Sequence, residues 1–318
     1  MAKIKGFKAL RYNENKINNI SEVIAPPYDV INKDQQELLY SMHENNIIKV
    51  DLNKTEGDKK YDEASRLFEN WIENEILIEE DMESIYPYHQ KFTFKGKEYE
   101  RLGIVALVKL SDFNEKVVLP HEETFSGPKA DRLKLMNSCK TNISPIFGVY
   151  DNSDDTVEKV VAQFIKNNNP IIEARSLDGI TNKIWKISDS KTITQISSFF
   201  DSKEILIADG HHRYETSLNY SKANSSNEAS YVMFYLTGTI QDGLLINPTH
   251  RVLNETLSSE EITKNVMENF ITEEWLEDMN EDSLEADEFF YIDKKNSCKL
   301  KCKIKEKDSK SFYSMSVY

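Results

Sequence analysis

The sequence has no apolar run approaching the roughly 20 residues of a membrane-spanning helix, which sets helical membrane proteins aside. Cysteine is scarce. Cys139, Cys298 and Cys302 are too few and too unevenly spaced for a disulfide framework, and Cys298-x-x-x-Cys302 is not a zinc spacing on its own. The opening Met1-Ala2-Lys3-Ile4-Lys5-Gly6 lacks the apolar core of a secretory signal, so a cytoplasmic protein with no membrane partner is expected. Positive charge is outweighed, with 40 Lys and Arg against 54 Asp and Glu and a net charge of −14. Nucleic-acid binders carry a basic face, so this balance argues against nucleic acid as a partner. An anionic substrate would have to be drawn in by local sites. The phosphate loop Gly-x-x-x-x-Gly-Lys-Ser/Thr, the dinucleotide fingerprint Gly-x-Gly-x-x-Gly and the nucleophile elbow Gly-x-Ser-x-Gly are all absent from the sequence. No feature of it marks a particular oligomeric state.

What is present suffices for a sizeable core: 318 residues, 39% of them hydrophobic. Apolar runs and alternation read as strands at Ile4 to Leu10, Asn46 to Leu52, Ile146 to Tyr150, Asn182 to Ile187, Glu204 to Ala208 and Tyr231 to Gly238. Ser84 to Phe94 and Glu98 to Leu110 read as a long hairpin turning at Lys95-Gly96-Lys97. Helical spacing runs from Tyr61 to Glu75 through Ala64, Phe68, Trp71 and Ile72. Further helices are expected at Asp34 to Asn45, Thr156 to Lys166, Ile193 to Phe200 and Tyr214 to Ala223. Leu119 to Leu135 reads as a polar, Pro-flanked stretch. The tail offers a helix from Ser258 and strands near Phe289 to Ile292 and Cys298 to Lys305. This irregular order predicts an α+β fold of mixed sheets with flanking helices. Residues 1–255 form its core, with room for two subdomains, and 256–318 an α+β tail.

The chemistry concentrates in a few predicted loops. In Ile205-Leu206-Ile207-Ala208-Asp209-Gly210-His211-His212-Arg213-Tyr214 an apolar strand ends at an Asp-Gly turn and delivers two imidazoles and a guanidinium to the start of a helix. Helix N-terminal N–H groups and the planar fork of Arg213 suit an anion, phosphate above all. A helix cap by Asp209 with histidines covering the helix end is the structural alternative. In Ala25-Pro26-Pro27-Tyr28-Asp29-Val30-Ile31 two prolines give Asp29 a stiff mount, fit for a general base or for a turn that bonds its own backbone. Pro120-His121-Glu122-Glu123-Thr124 and Gly127-Pro128-Lys129-Ala130-Asp131-Arg132-Leu133 gather His, carboxylates and cations. There Glu122 or Glu123 would bind magnesium or take a proton, and Lys129 or Arg132 would meet phosphate. Asp131 and Arg132 would equally decorate a helix running to Cys139. Asn142 and Ser144 suit a ligand or a turn, and Asn247-Pro248-Thr249-His250-Arg251-Val252 adds a second His-Arg pair beside a strand end.

Phe7-Lys8-Ala9-Leu10-Arg11, Ala25-Pro26-Pro27-Tyr28-Asp29-Val30-Ile31, His121-Glu122-Glu123-Thr124, Pro128-Lys129-Ala130-Asp131-Arg132-Leu133, Asn142-Ile143-Ser144-Pro145-Ile146-Phe147-Gly148, Ala208 to Thr216 and Pro248-Thr249-His250-Arg251 resemble, in order, the blocks of the prokaryotic domain-of-unknown-function family numbered 1015. The resemblance covers roughly residues 4 to 255 and implies no activity. Members of that family usually run on to a Lys-Ser-Thr-containing segment that has no counterpart here, so the tail reads as shortened. Asp209-Gly210-His211-His212-Arg213 is also similar to the phosphate-binding motif of the ParB/sulfiredoxin superfamily, which includes ADP-dependent free-serine kinases. That resemblance implies a ParB/sulfiredoxin-like element around the turn. Phosphate would be held by His211, His212 and Arg213, with an acid–base carboxylate at Asp29 or Glu122.

Three readings of function follow. In the first, the chain is an enzyme that transfers a phosphoryl group from ADP or ATP, with Mg2+, to a small hydroxyl compound such as free serine. Asp29, Glu122 and His212 are then the catalytic candidates and Glu122 and Glu123 the metal ligands. Asp209, Gly210, His211, His212, Arg213, Arg251 and Lys129 would bind the nucleotide phosphates. The second reading is a nucleotide-responsive binding protein of ParB type. The third is a metal-dependent hydrolase with His121, His211 and His212 as ligands.

Overall fold

Along Tyr231–Gly238 the side chains alternate: Val232, Phe234 and Leu236 enter a buried core, and Met233 and Tyr235 take the opposite face. The same alternation puts Ile104, Ala106 and Val108 of the neighbouring strand into that core. In the computed structural model the described residues are 1–122, 124, 126–224, 226–246, 258–273, 288–292 and 297–303. The chain divides into two units, Met1–Leu244 and Leu245–Tyr318.

The first unit runs β1 (Ile4–Lys5), β2 (Leu10–Tyr12), α1 (Lys33–Met42), α2 (Ile48–Asp51), α3 (Lys59–Glu73) and β3 (Leu77–Glu79). It continues through β4 (Tyr86–Phe94), β5 (Lys97–Lys109), β6 (Val118–Leu119), α4 (Ser126–Cys139), β7 (Ile146–Tyr150) and α5 (Thr156–Asn167). The last elements are β8 (Ile172–Arg175), β9 (Thr181–Ile184), α6 (Ser190–Phe200), β10 (Ile205–Asp209), α7 (His211–Ala223) and β11 (Tyr231–Gly238). Nine strands form one sheet in the order β6-β10-β7-β11-β5-β4-β9-β8, with β1 beside β5. The β10–β6 and β11–β7 pairs are parallel and the others antiparallel. The fold is therefore α+β with a mixed sheet and flanking helices. One face carries the main core, closed by Val161 of α5 and Phe200 of α6. Gly148 lets β7 lie close there, since a β carbon on it would stand 2.8 Å from the Phe234 ring. A second core joins Tyr12, Val50, Ala64, Phe68, Trp71 and Leu77 around the β2–β3 ribbon. Full burial of such side chains contributes roughly 1.5–3 kcal/mol each.

Several elements differ from the sequence-based expectation. Asn46 to Leu52 is not a strand; its centre is the helix α2. The Asn46 carboxamide accepts from the Ile48 N–H at 3.0 Å and so starts the turn, and so short an apolar run carries no periodicity to tell the two apart. The strand expected from Ile4 to Leu10 breaks at Gly6, where a β carbon would meet Ser84 backbone at 3.0 Å, and its ends join two different sheets. The polar stretch from Leu119 to Leu135 contains α4 from Ser126 onward, and α7 starts at His211 rather than Tyr214. Strand β8 has no counterpart in the expectation.

The second unit holds α8 (Ser259–Asn269), β12 (Phe270–Glu273), β13 (Glu288–Ile292) and β14 (Ser297–Cys302), the strands forming an antiparallel sheet in the order β12-β14-β13. Ser258 and Glu261 close a capping box at the helix start. Among the described residues no helix is long and apolar enough to cross a membrane.

Candidate functional site

The site is built on the passage from β10 into α7. Ile205 and Ile207 anchor the strand in the main core, and the chain then turns at Gly210 with φ 95°. Only glycine adopts this backbone without strain, and a β carbon there would stand 3.0 Å from Cζ of Arg213. Tyr214 fixes the helix that follows. It is fully buried, its hydroxyl donates to the Ser111 carbonyl at 2.9 Å, and its ring stacks on Phe113 at 5.2 Å. Gly210, the N-cap of α7, has no side chain with which to cap it, and the positive dipole end of the helix lies at this turn.

On one flank His121, Glu122 and Thr124 lie against the first turns of α7. His211 is buried; its Nε2 accepts the His121 backbone N–H at 3.2 Å, and its Nδ1 lies 3.0 Å from Oε1 of Glu122. Burial first, then the neighbouring His121 and His212, push its pKa down to about 3, so the imidazole is neutral and Nδ1–H donates to Glu122. The His121 ring meets that of His211 edge-on at 4.4 Å and also reaches the Ala208 carbonyl at 3.3 Å. One turn along, Glu215 accepts from Thr124 Oγ1 at 2.6 Å and Lys129 Nζ at 2.7 Å. Burial alone would raise the Glu215 carboxyl, but these two bonds hold it below its ordinary value.

On the other flank lies a small cavity of about 50 Å³, whose lining includes Tyr28, Asp51, Arg132, Asn142, Ser144 and Arg213. Arg213 is buried. It donates to Ser144 Oγ at 3.0 Å, to the Pro145 carbonyl and to Asp209, while its buried Nε has no partner among the described residues. Arg132 donates through Nη1 to Asp51 Oδ1 at 2.7 Å and through Nη2 to Asp131 Oδ2 at 2.6 Å. The Tyr28 ring lies 4.1 Å from its Cζ. Burial would depress the Arg132 pKa, but Asp51 and Asp131 more than offset that and keep it charged. For Asp131 burial likewise works upward, and hydrogen bonds from Lys60, Tyr61 and Arg132 bring it down to about 2. Burial lifts the Asp51 carboxyl above its usual range, against the pull of Arg132 and Arg213. Thr141, Asn142, Ile143 and Ser217 are shared between this cavity and a cleft of about 830 Å³.

Segments far apart in the sequence thus meet around α7. Tyr28, Arg132, Asn142, Ser144 and Arg213 reach one cavity, and His121, Glu122 and Lys129 gather on the opposite flank. Asp29 is exposed on a single 3-10 turn, Tyr28–Val30, close enough to Asp51 for their charges to interact. Asp209 and Gly210 form the turn itself, and His212 is half-buried in the first turn of α7. Both ring nitrogens of His211 are engaged by the protein. Glu123 and Arg251, with the whole Asn247–Val252 segment, lie outside the described residues. Among the described residues no group of three or more His, Cys, Asp or Glu is placed to hold a metal ion. Sequence reasoning missed Asp51, Glu215, Thr216 and Ser217. The only signal for Asp51 is a lone carboxylate inside the apolar run from Ile47 to Leu52, and for Glu215 its i+4 spacing from His211.

A family model described as "Protein of unknown function (DUF1015)" matches residues 4–316, further toward the C-terminus than the motif blocks reach. No curated protein and no solved structure matches the chain.

Proposed function

The chain belongs to the DUF1015 family, whose description names no activity, and from the chemistry of the site we propose that it transfers a phosphoryl group from a nucleotide to a small hydroxyl compound. Free serine is the first acceptor to assay. One observation carries the reading: Tyr28, Arg132, Asn142, Ser144 and Arg213, from four separate segments, line one small cavity beside the Gly210 start of α7. Phosphoryl transfer asks for positioning and charge neutralisation more than for a special nucleophile. The N–H groups and positive dipole end at the start of α7 take phosphate oxygens, with Lys129 adding positive charge one turn along. At about 50 Å³ the cavity admits a molecule of a few heavy atoms, with Arg132 and Arg213 suited to a carboxylate and Asp51 to an ammonium group. Asp29 orients the acceptor hydroxyl, and His212 shuttles a proton at the helix start.

Magnesium takes one or two carboxylates and keeps water and phosphate as its other ligands, a demand that Glu122, bonded to His211 through one oxygen only, fits. Glu122 would hold the nucleotide-bound ion, which supplies neutralisation of phosphate charge. The similarity of Asp209-Gly210-His211-His212-Arg213 to the ParB/sulfiredoxin phosphate motif points the same way.

The test is a thermal-shift series with ADP, ATP, CTP and pyrophosphate, each with and without magnesium, followed by phosphoserine detection after adding serine. We expect a nucleotide-selective, magnesium-dependent rise in melting temperature, lost in Glu122→Gln and Asn142→Ala variants. If no phosphate compound moves the transition and zinc does, the reading falls and a metal-dependent hydrolase replaces it.

A further inference from the structure

The cleft of about 830 Å³ is far larger than a serine-sized acceptor needs. It lies between the sheet face that the main core leaves free and the second core. Val105 and Leu107 of β5, Met233 of β11 and Tyr88 of β4 line it from one side, Ile24 and Phe68 from the other. Its volume is that of a small-molecule site, commonly about 300–1,000 Å³. Its lining is mostly hydrocarbon, and a continuous apolar surface of this kind is seldom left open to water without a use.

The polar part of the lining is biased. Lys8, Arg11 and Lys140 stand against Glu79 and Glu228, a local surplus of one positive charge in a chain of net charge −14. Arg11 is tied to Glu80. Lys8 and Lys140 are both exposed, and neither forms an ion pair with a described residue. Two unpaired lysines beside an apolar wall match a ligand with a charge at one end only. We propose that this cleft is a second ligand site, taking a small molecule with a hydrocarbon body and an anionic head, the body against Leu107 and Met233 and the head at Lys8 and Lys140. Aliphatic and aryl carboxylates share this chemistry. The proposal stands apart from phosphoryl transfer: it rests on the apolar wall, Lys8 and Lys140, none of which lines the small cavity or belongs to the first turn of α7.

Calorimetric titration of the full chain with decanoate, decanol and acetate tests it, decanoate being kept below its micellar concentration. Decanoate should bind at one site, several-fold more tightly than decanol, and acetate should give no heat. Leu107→Trp fills the cleft and should weaken decanoate binding at least tenfold, while circular dichroism shows the fold retained. If that variant does not fold, Val105→Phe on the same wall takes its place. Lys8→Glu and Lys140→Glu should each weaken decanoate about two- to fivefold and leave decanol unchanged. No decanoate binding by the folded protein, equal affinity for decanol, or unchanged decanoate binding in a folded wall variant would each overturn the proposal. An ADP titration of the same samples separates it from the phosphoryl-transfer reading, since Leu107→Trp, Lys8→Glu and Lys140→Glu alter residues outside the small cavity and should leave nucleotide binding intact.

Discussion

At the scale of single residues, His211 carries the clearest physical consequence. In an unfolded chain an imidazole takes up a proton near pH 6.5. Buried between Glu122 and the His121 backbone, His211 does so only near pH 3. Between those values the unfolded state binds more protons, so the stability contributed by neutral His211 is full above about pH 6.5 and falls as the pH drops towards 3. The slope is at most about 1.4 kcal/mol per pH unit for one proton. Urea unfolding from pH 7 to 4.5, above the range of most carboxylates, should show this loss in the native protein and a flatter profile in His211→Asn. An identical slope in both would place the titration elsewhere. Arg132 makes a second case. It neutralises buried Asp51 and half-buried Asp131 together, so Arg132→Met should cost about 3–5 kcal/mol by leaving a buried carboxylate uncompensated. Much of that should return in Arg132→Met with Asp51→Asn, measured by the same unfolding series.

At the scale of elements, Gly210 joins the strand to the helix. Gly210→Ala forces an L side chain to φ 95° against the Arg213 guanidinium and should cost about 1–3 kcal/mol. Because α7 is otherwise anchored by Tyr214, the loss should appear first as a displaced helix start and weaker nucleotide binding, with the cooperative melt retained. Unchanged binding would mean that the start of α7 is not the phosphate site. How much of this was legible follows from what is local. β7 and β11 match their expected spans because buried strands flanked by turn residues declare themselves within a short window. The Asp-Gly-His-His-Arg turn stood out for a similar reason, since polar residues directly behind a buried strand need an explanation. The turn forming α2 was not legible, because an Asn46 side chain bonding forward to Ile48 leaves no periodic trace. Nor was Asp51, whose partner Arg132 lies 81 residues away. The sequence names the chemistry-bearing loops but not which of their charges are spent on one another.

At the scale of the whole molecule, both cores, the small cavity and the large cleft draw their residues from Met1–Leu244. A hydrophobic core with its own sheet, closed by its own helices, is what lets a unit fold alone. A fragment of residues 1–244 should therefore melt cooperatively, within a few degrees of the full chain, when followed by circular dichroism. Ligand titrations of that fragment then sort the contributions. The decanoate site belongs wholly to the first unit, so its affinity should be unchanged on truncation. The start of α7 and the small cavity also lie in the first unit, so nucleotide affinity should be unchanged as well. Full nucleotide affinity in the fragment would confine the phosphate site to α7 and its two flanks.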